Sequence, residues 1–327
     1  MNTMGDNRFR SWLPHGFDFR GPWETRRQLE LATRIRELLS GKGFQEVVPP
    51  TFDFARTFQL TNRSGVHSPL FELRGSAGDR LAVRSDLTVQ VIKAAANGRV
   101  GSGFPARFAY LQPVFQDRDW GSGLAREYLQ AGVEIIGEDG SGRVREVLEL
   151  AVLCLQAAGV DCRVVYGDVR IVEAISATLP QKARPEFSTA FYNKDSAALK
   201  RLAARCELSQ DMAKLLVELP FTFGGPDILP DLRDLARPLP ALAPLIEEAS
   251  AIANVIYDFS LVRELSYYTG PVFEAYLVGH NERIFTGGVY DDLFGEFADE
   301  SKPACGFALN LTVLVENTEE LNRGKES

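Results

Sequence analysis

Glu134 lies inside the apolar run Ala131 to Ile136, and Gln130 stands just ahead of it, four positions away. An i, i+4 polar pair can simply face solvent, or form the polar face of a strand, but the apolar neighbours here favour burial. A buried carboxylate is costly unless a donor or a cation meets it. Asp86 and Thr88 stand at the head of a short apolar stretch. Residues of these types cap helices or offer oxygens to a ligand, and their position leaves both roles open. Arg263 has structural ion-pair candidates in Glu264 and Glu274. Tyr267 and Tyr268 are adjacent, so on a strand they point to opposite faces and only one can line a cavity.

Other chemistries are poorly supplied. His15, His67 and His280 are not at helical ligand spacing from one another, which leaves neither a zinc-binding helix nor an obvious triad. Cys154, Cys162, Cys206 and Cys305 are scattered without a Cys-x-x-Cys pair and read as reduced, mostly buried thiols. No Walker loop is present, and neither a metal nor a cofactor is expected. With 36 basic against 44 acidic residues the net charge is -8, which gives no support for a broad phosphate-neutralising surface. A chain of 327 residues, 45% hydrophobic and 24% charged, suits one large globular domain plus a smaller one. The opening residues lack the apolar core of a signal peptide, and Leu148 to Val160 is too short and interrupted to span a bilayer. A cytoplasmic protein with no membrane association is expected.

The elements that must position these residues follow from periodicity. Trp23 to Lys42 predicts an amphipathic helix, with Leu29, Ala32, Ile35, Leu38 and Leu39 near helical spacing and Gly41 and Gly43 closing it. Phe44 to Val48 predicts a strand stopped by Pro49 and Pro50. Leu70 to Leu73 and Leu81 to Val83 read as a hairpin, and Thr88 to Ala96 as a helix. Phe108 to Phe115 and Ala131 to Ile136 are apolar strands bracketing the Gly-rich loop Trp120 to Gly123. A long helix over Arg143 to Ala158 leads to a strand at Cys162 to Tyr166. Strand character returns at Val272 to Val278, Arg283 to Thr286 and Ala304 to Leu309, before a polar tail expected to fray from Glu316. The class is α+β, an antiparallel sheet flanked by helices. Residues 1–170 form the first part of the core, 171–251 an inserted helical subdomain, 252–316 the second part, and 317–327 the tail.

Several segments, in order, resemble the catalytic core of histidyl-tRNA synthetase, a class II aminoacyl-tRNA synthetase, from about Leu13 to Val313. Gly43-Phe44-Gln45-Glu46-Val47-Val48-Pro49-Pro50 is similar to its first, dimer-forming motif. Arg84-Ser85-Asp86-Leu87-Thr88 is similar to Arg-Pro-Glu-Gly-Thr, and Gln130-Ala131-Gly132-Val133-Glu134 to Gln-x-x-x-Glu. Leu261-Val262-Arg263-Glu264-Leu265-Ser266-Tyr267-Tyr268 resembles the histidine-specific Leu-Val-Arg-Gly-Leu-Asp-Tyr-Tyr. Gly287-Gly288-Val289-Tyr290-Asp291 resembles Gly-Gly-Arg-Tyr-Asp, and its glycine pair speaks for tight backbone approach. The resemblance implies that Asp86, Thr88, Gln130 and Glu134 hold the ammonium and imidazole of histidine, that Arg263 faces its carboxylate, and that Tyr267 or Tyr268 borders the ring.

The departures matter as much. Where the family has Phe-Arg-x-Glu this chain has Phe115-Gln116-Asp117-Arg118, and where the family ends Gly-Leu-Glu-Arg it has Asn310-Leu311-Thr312-Val313. Adenylate formation needs fixed positive charge around the triphosphate, and arginine supplies it as a permanent planar fork. Two such contacts are missing. The chain ends shortly after the third motif, so no anticodon domain and no tRNA partner are expected. Among synthetase-like families this pattern resembles the regulatory subunit of short-form ATP phosphoribosyltransferase. The resemblance implies a non-catalytic role in the first step of histidine biosynthesis, feedback by L-histidine, and a separate catalytic chain as partner. It further implies a hetero-octamer of four plus four built on synthetase-like dimers. The rival readings are a truncated synthetase that still activates histidine and a histidine-binding paralogue with another partner.

Overall fold

The computed structural model describes residues 13–59, 70–101, 103–118, 124–261, 267–278 and 283–323, with side chains described to Asn317. Helix α1 (Pro22–Gly41) starts with proline in its first turn, where a missing amide hydrogen costs nothing. It buries Leu31, Ala32, Ile35 and Leu39. Strands β1 (Gln45–Glu46) and β2 (Phe52–Phe54), helix α2 (Ala55–Gln59), strands β3 (Glu72–Arg74) and β4 (Arg80–Val83) and helix α3 (Thr88–Ala96) follow. The long hairpin is β5 (Ala106–Phe115) and β6 (Glu127–Ile136). Helix α4 (Gly142–Ala158) ends at Gly159, whose φ of +73° makes a left-handed cap that suits glycine.

Strand β7 (Cys162–Asp168) then leads into helices α5 (Val169–Ala177), α6 (Arg184–Tyr192), α7 (Ser196–Arg205) and α8 (Gln210–Glu218). After the short β8 (Phe223–Gly224) come α9 (Leu229–Ala236) and α10 (Ala243–Ser250). Strands β9 (Ile256–Asp258), β10 (Pro271–Leu277), β11 (Arg283–Val289) and β12 (Ala304–Asn310) and helix α11 (Leu311–Arg323) complete the described chain.

The main sheet has nine strands in the order β1-β5-β6-β12-β11-β10-β7-β9-β8. Its pairings are antiparallel except β1 with β5 and β7 with β9. Strands β2, β4 and β3 form a separate antiparallel sheet, the hairpin expected around Leu70 to Val83. The main sheet divides two apolar cores because successive side chains of β5 and β6 alternate. Ala109, Leu111, Ala131, Val133 and Ile135 join the large core with α1, α4 and the helices after β7. Phe108, Tyr110, Val114, Tyr128 and Ile136 join the smaller one with Leu87, Val91 and Ile92 of the α3 segment.

Two expectations give way. The chain does not fray at Glu316: α11 runs Leu311–Arg323, because Leu311, Val313, Leu314 and Val315 are buried and tie the helix to the core. The strand expected over Phe44 to Val48 shrinks to Gln45–Glu46, since only those residues pair with Phe108 and Ala109. The cysteines are free, with Cys154 and Cys305 buried and the other two partly so. No helix among the described residues is long and apolar enough to cross a membrane.

Candidate functional site

Four residues apart on a strand means the same face, so Gln130 and Glu134 of β6 both point into the smaller core. Glu134 is fully buried and Gln130 nearly so. The β5 register sets Gln112 beside Gln130, Tyr110 beside Gly132 and Phe108 beside Glu134. Gln130 Oε1 accepts from the Leu87 backbone N–H at 3.3 Å, which pins the start of α3 over the hairpin. Arg84, itself buried, donates to the carbonyls of Pro113 at 2.6 Å and Pro49 at 2.8 Å. That one guanidinium ties the proline stop of the first motif to the hairpin and aims Asp86 and Thr88.

Asp86 Oδ1 accepts from the Val89 N–H at 3.2 Å, so it does cap α3 while standing at the pocket's edge, partly exposed. Burial pushes its carboxyl up to about 6, against the pull of backbone hydrogen bonds from Val89 and Thr88. The Thr88 hydroxyl pairs with the Tyr110 hydroxyl at 3.2 Å. Glu134 Oε2 accepts from the Tyr290 hydroxyl. Its other oxygen, Oε1, is buried and without a hydrogen-bond partner. Burial first, and then the charge of Asp86, hold Glu134 well above the ordinary carboxylate range.

Tyr110 and Tyr290 were absent from the expected set, and glycines explain how they fit. A Cβ on Gly132 would lie 2.4 Å from the Tyr110 hydroxyl, and one on Gly306 would lie 2.3 Å from that of Tyr290. Tyr267 and Tyr268 require a correction. They lie just before β10 instead of in a strand, so the two rings do not diverge. Their centroids are 4.8 Å apart, and both meet Tyr290, at 5.5 and 6.2 Å. The Tyr268 hydroxyl pairs with Thr286 Oγ1 at 3.3 Å, and its ring lies against Gly288, where a Cβ would come within 2.8 Å. The tight approach expected of the Gly287-Gly288 pair is thus made by an aromatic ring. Six of the seven expected residues surround one pocket; Arg263 lies outside the described residues.

A family model described as histidyl-tRNA synthetase matches residues 16–314. The chain belongs to the histidyl-tRNA synthetase family. Within this family it groups with ATP phosphoribosyltransferase regulatory subunits. The protein of that name from Moorella thermoacetica is 32% identical, covering 93% of this chain and 81% of its own. Its namesake in Leptospira interrogans is 30% identical, with 93% of each chain covered. A solved structure described as an ATP phosphoribosyltransferase regulatory subunit/histidyl-tRNA synthetase from Bacillus halodurans superposes with a TM-score of 0.80. It is 25% identical, over 94% of this chain and 83% of that one.

In the frame of this family's second motif, Gln116 is engaged within the fold. Its Nε2 donates to the Ser85 carbonyl and to the Tyr128 hydroxyl, each at 3.2 Å. Its Oε1 accepts from Arg118 Nε at 2.9 Å and Nη2 at 2.7 Å. The Arg118 guanidinium also sits 5.6 Å from the centroid of the Tyr128 ring. At the third motif, Asn310 Oδ1 accepts from the Val313 N–H at 3.2 Å, and the Val313 side chain is in the large core. The Gly-rich loop Trp120 to Gly123 lies outside the described residues.

Proposed function

We propose that this chain is the non-catalytic regulatory subunit of a short-form ATP phosphoribosyltransferase, serving the first step of histidine biosynthesis. It acts with a separate catalytic chain, in a hetero-octamer of four plus four built on synthetase-like dimers. Its pocket takes L-histidine as the feedback signal, and no tRNA is bound. The names of its relatives support the role, and one observation supports the ligand: the uncommitted, buried oxygen of Glu134. A group so placed costs free energy until a donor arrives, and a zwitterion carrying an imidazole brings donors for both Glu134 and Asp86. Arg263, by its motif position, is assigned to the ligand carboxylate.

The proposed lack of aminoacylation follows from chemistry at two positions. Gln116 is neutral and occupied at both ends, and Val313 is apolar and buried. Loss of one donor to developing charge costs roughly 100-fold to 1000-fold in rate, and here two full charges are replaced. The test is reconstitution of phosphoribosyl transfer from purified catalytic chain with and without this protein, plus a calorimetric titration with L-histidine. Stimulation of the catalytic chain and inhibition by histidine are expected, with no histidine-dependent pyrophosphate exchange. Appreciable exchange by this chain alone overturns the reading.

A further inference from the structure

Glu134 has no cation beside it among the described residues. On β6 its neighbour toward the pocket is the neutral Gln130. From β5 it meets Tyr110, from the start of α3 Asp86 and Thr88, and from the segment before β10 Tyr267 and Tyr268. Tyr290 follows β11 and donates to Oε2. Strand β12 presents Gly306 to it, with the thiol of Cys305 on the next residue. The cations closest to the pocket, Arg118 and Arg283, act on the Tyr128 hydroxyl. Glu134 therefore faces phenols, a hydroxyl, a thiol and one other carboxylate.

Two carboxylates in one cavity without a counter-ion do not both ionise. Asp86 is partly exposed and capped by backbone N–H, so it keeps the charge, and Glu134 is the group left neutral. We propose that the empty site stores one proton on Glu134 and that the imidazole ring of the bound ligand takes it, making an imidazolium–carboxylate pair in the pocket floor. The Glu134 O–H bond breaks as an N–H bond forms with the lone pair of the ring nitrogen. The number of protons in the complex is unchanged, so near neutral pH none is exchanged with buffer. Burial and the charge of Asp86 both push Glu134 in the direction this requires. The site thereby selects a five-membered ring with a basic nitrogen over a neutral ring of the same size. This inference rests on the histidine reading above.

Infrared difference spectroscopy of the full chain at about pH 7.5, well above the Asp86 value, reads the proton directly. The empty protein is expected to show a protonated-carboxyl band that disappears when L-histidine binds, as imidazolium ring bands rise. Glu134→Gln removes the band and Asp86→Asn keeps it. β-(2-Thienyl)alanine, with no basic ring nitrogen, is expected to bind about 10- to 100-fold more weakly, the worth of a charged hydrogen bond, and to leave the band in place. Should Glu134→Gln fail to fold, calorimetry of the unaltered protein in two buffers of different ionisation enthalpy serves instead. Equal heats are expected, and uptake of a full proton overturns the proposal. A carboxyl band that is missing beforehand, or that survives histidine binding, overturns it while leaving the ligand reading intact. No histidine binding at all removes the ligand reading, and this inference with it.

Discussion

A methyl group at Gly306 has nowhere to go. Its Cβ would lie 2.1 Å from the Val133 carbonyl, 2.3 Å from Glu134 Oε2 and 2.3 Å from the Tyr290 hydroxyl. A comfortable carbon contact is about 3.5 Å, so β6 and β12 must part by roughly 1 Å. That strain falls mid-register, where Gly306 pairs with Glu134 between Ala304–Ile136 and Asn310–Gln130. Overpacking of this kind costs about 1–3 kcal/mol, and loss of the Tyr290 hydrogen bond to Glu134 adds about 1–2 kcal/mol. Gly306→Ala is therefore expected to lose about 2–5 kcal/mol, a large part of the 5–15 kcal/mol typical of a folded domain, and with it histidine affinity. The assay is urea unfolding beside Gly41→Ala, where the added methyl meets nothing within 4 Å at the end of α1. That control should match the parent or gain up to about 1 kcal/mol. A Gly306→Ala protein with the parent's midpoint and slope refutes the packing argument.

Three further outcomes follow from single groups. Arg84→Met leaves the Pro49 and Pro113 carbonyls without their donor and should cost about 2–4 kcal/mol in thermal unfolding; Arg84→Lys should recover little, because one ammonium cannot span both. Val313→Arg, which restores the family's residue type, should destabilise by more than about 3 kcal/mol instead of restoring adenylation, since Val313 is 2% exposed in the large core. The carboxyl of Asp86, raised to about 6, binds its proton more tightly folded than unfolded. Its contribution is therefore fully present below about pH 4 and is lost as pH rises through 6, by at most about 3 kcal/mol. The stability of the parent relative to Asp86→Asn should fall between about pH 4.5 and 7.5, and a constant difference counts against burial as the cause.

Much of the site was readable because the hairpin obeys a simple period. Gln130 and Glu134 interrupt an apolar run at an even spacing, so strand geometry alone puts them on one face, and the flanking residues bury that face. Asp86 and Thr88 were left between capping and ligand contact, and Asp86 does cap while also bordering the pocket. What escaped was information held across the sheet. Tyr110 looks like one more apolar residue of β5 until Gly132 is seen opposite it, leaving room for a hydroxyl. Tyr290 gains its place only from Gly306 on a different strand. Tyr267 and Tyr268 were misjudged because strand alternation was applied to residues that precede the strand. The polarity of the last residues likewise concealed a helix anchored by Leu314 and Val315.

The two tyrosines that close the pocket also give the proposed feedback a mechanical course. Tyr267 and Tyr268 enter β10 directly, and β10 pairs along its whole length with β7, from Pro271–Asp168 to Leu277–Cys162. Strand β7 ends at Asp168, a fully buried carboxylate that caps α5 and pairs with Arg170, which also reaches Glu248 at 3.0 Å on α10. A ligand that fixes the tyrosines therefore acts on a strand whose neighbour carries the helices from α5 to α10. Continuity is not coupling, and the measurable quantity is a free energy shared by two binding events. Couplings of this kind are typically about 1–3 kcal/mol, or roughly 5- to 150-fold, and are reciprocal. If histidine weakens the active complex by such a factor, the catalytic chain must change the affinity of this chain for histidine by the same factor. Titrations of the isolated and the assembled protein decide the matter: one dissociation constant for both leaves the pocket a binding site without a regulatory role.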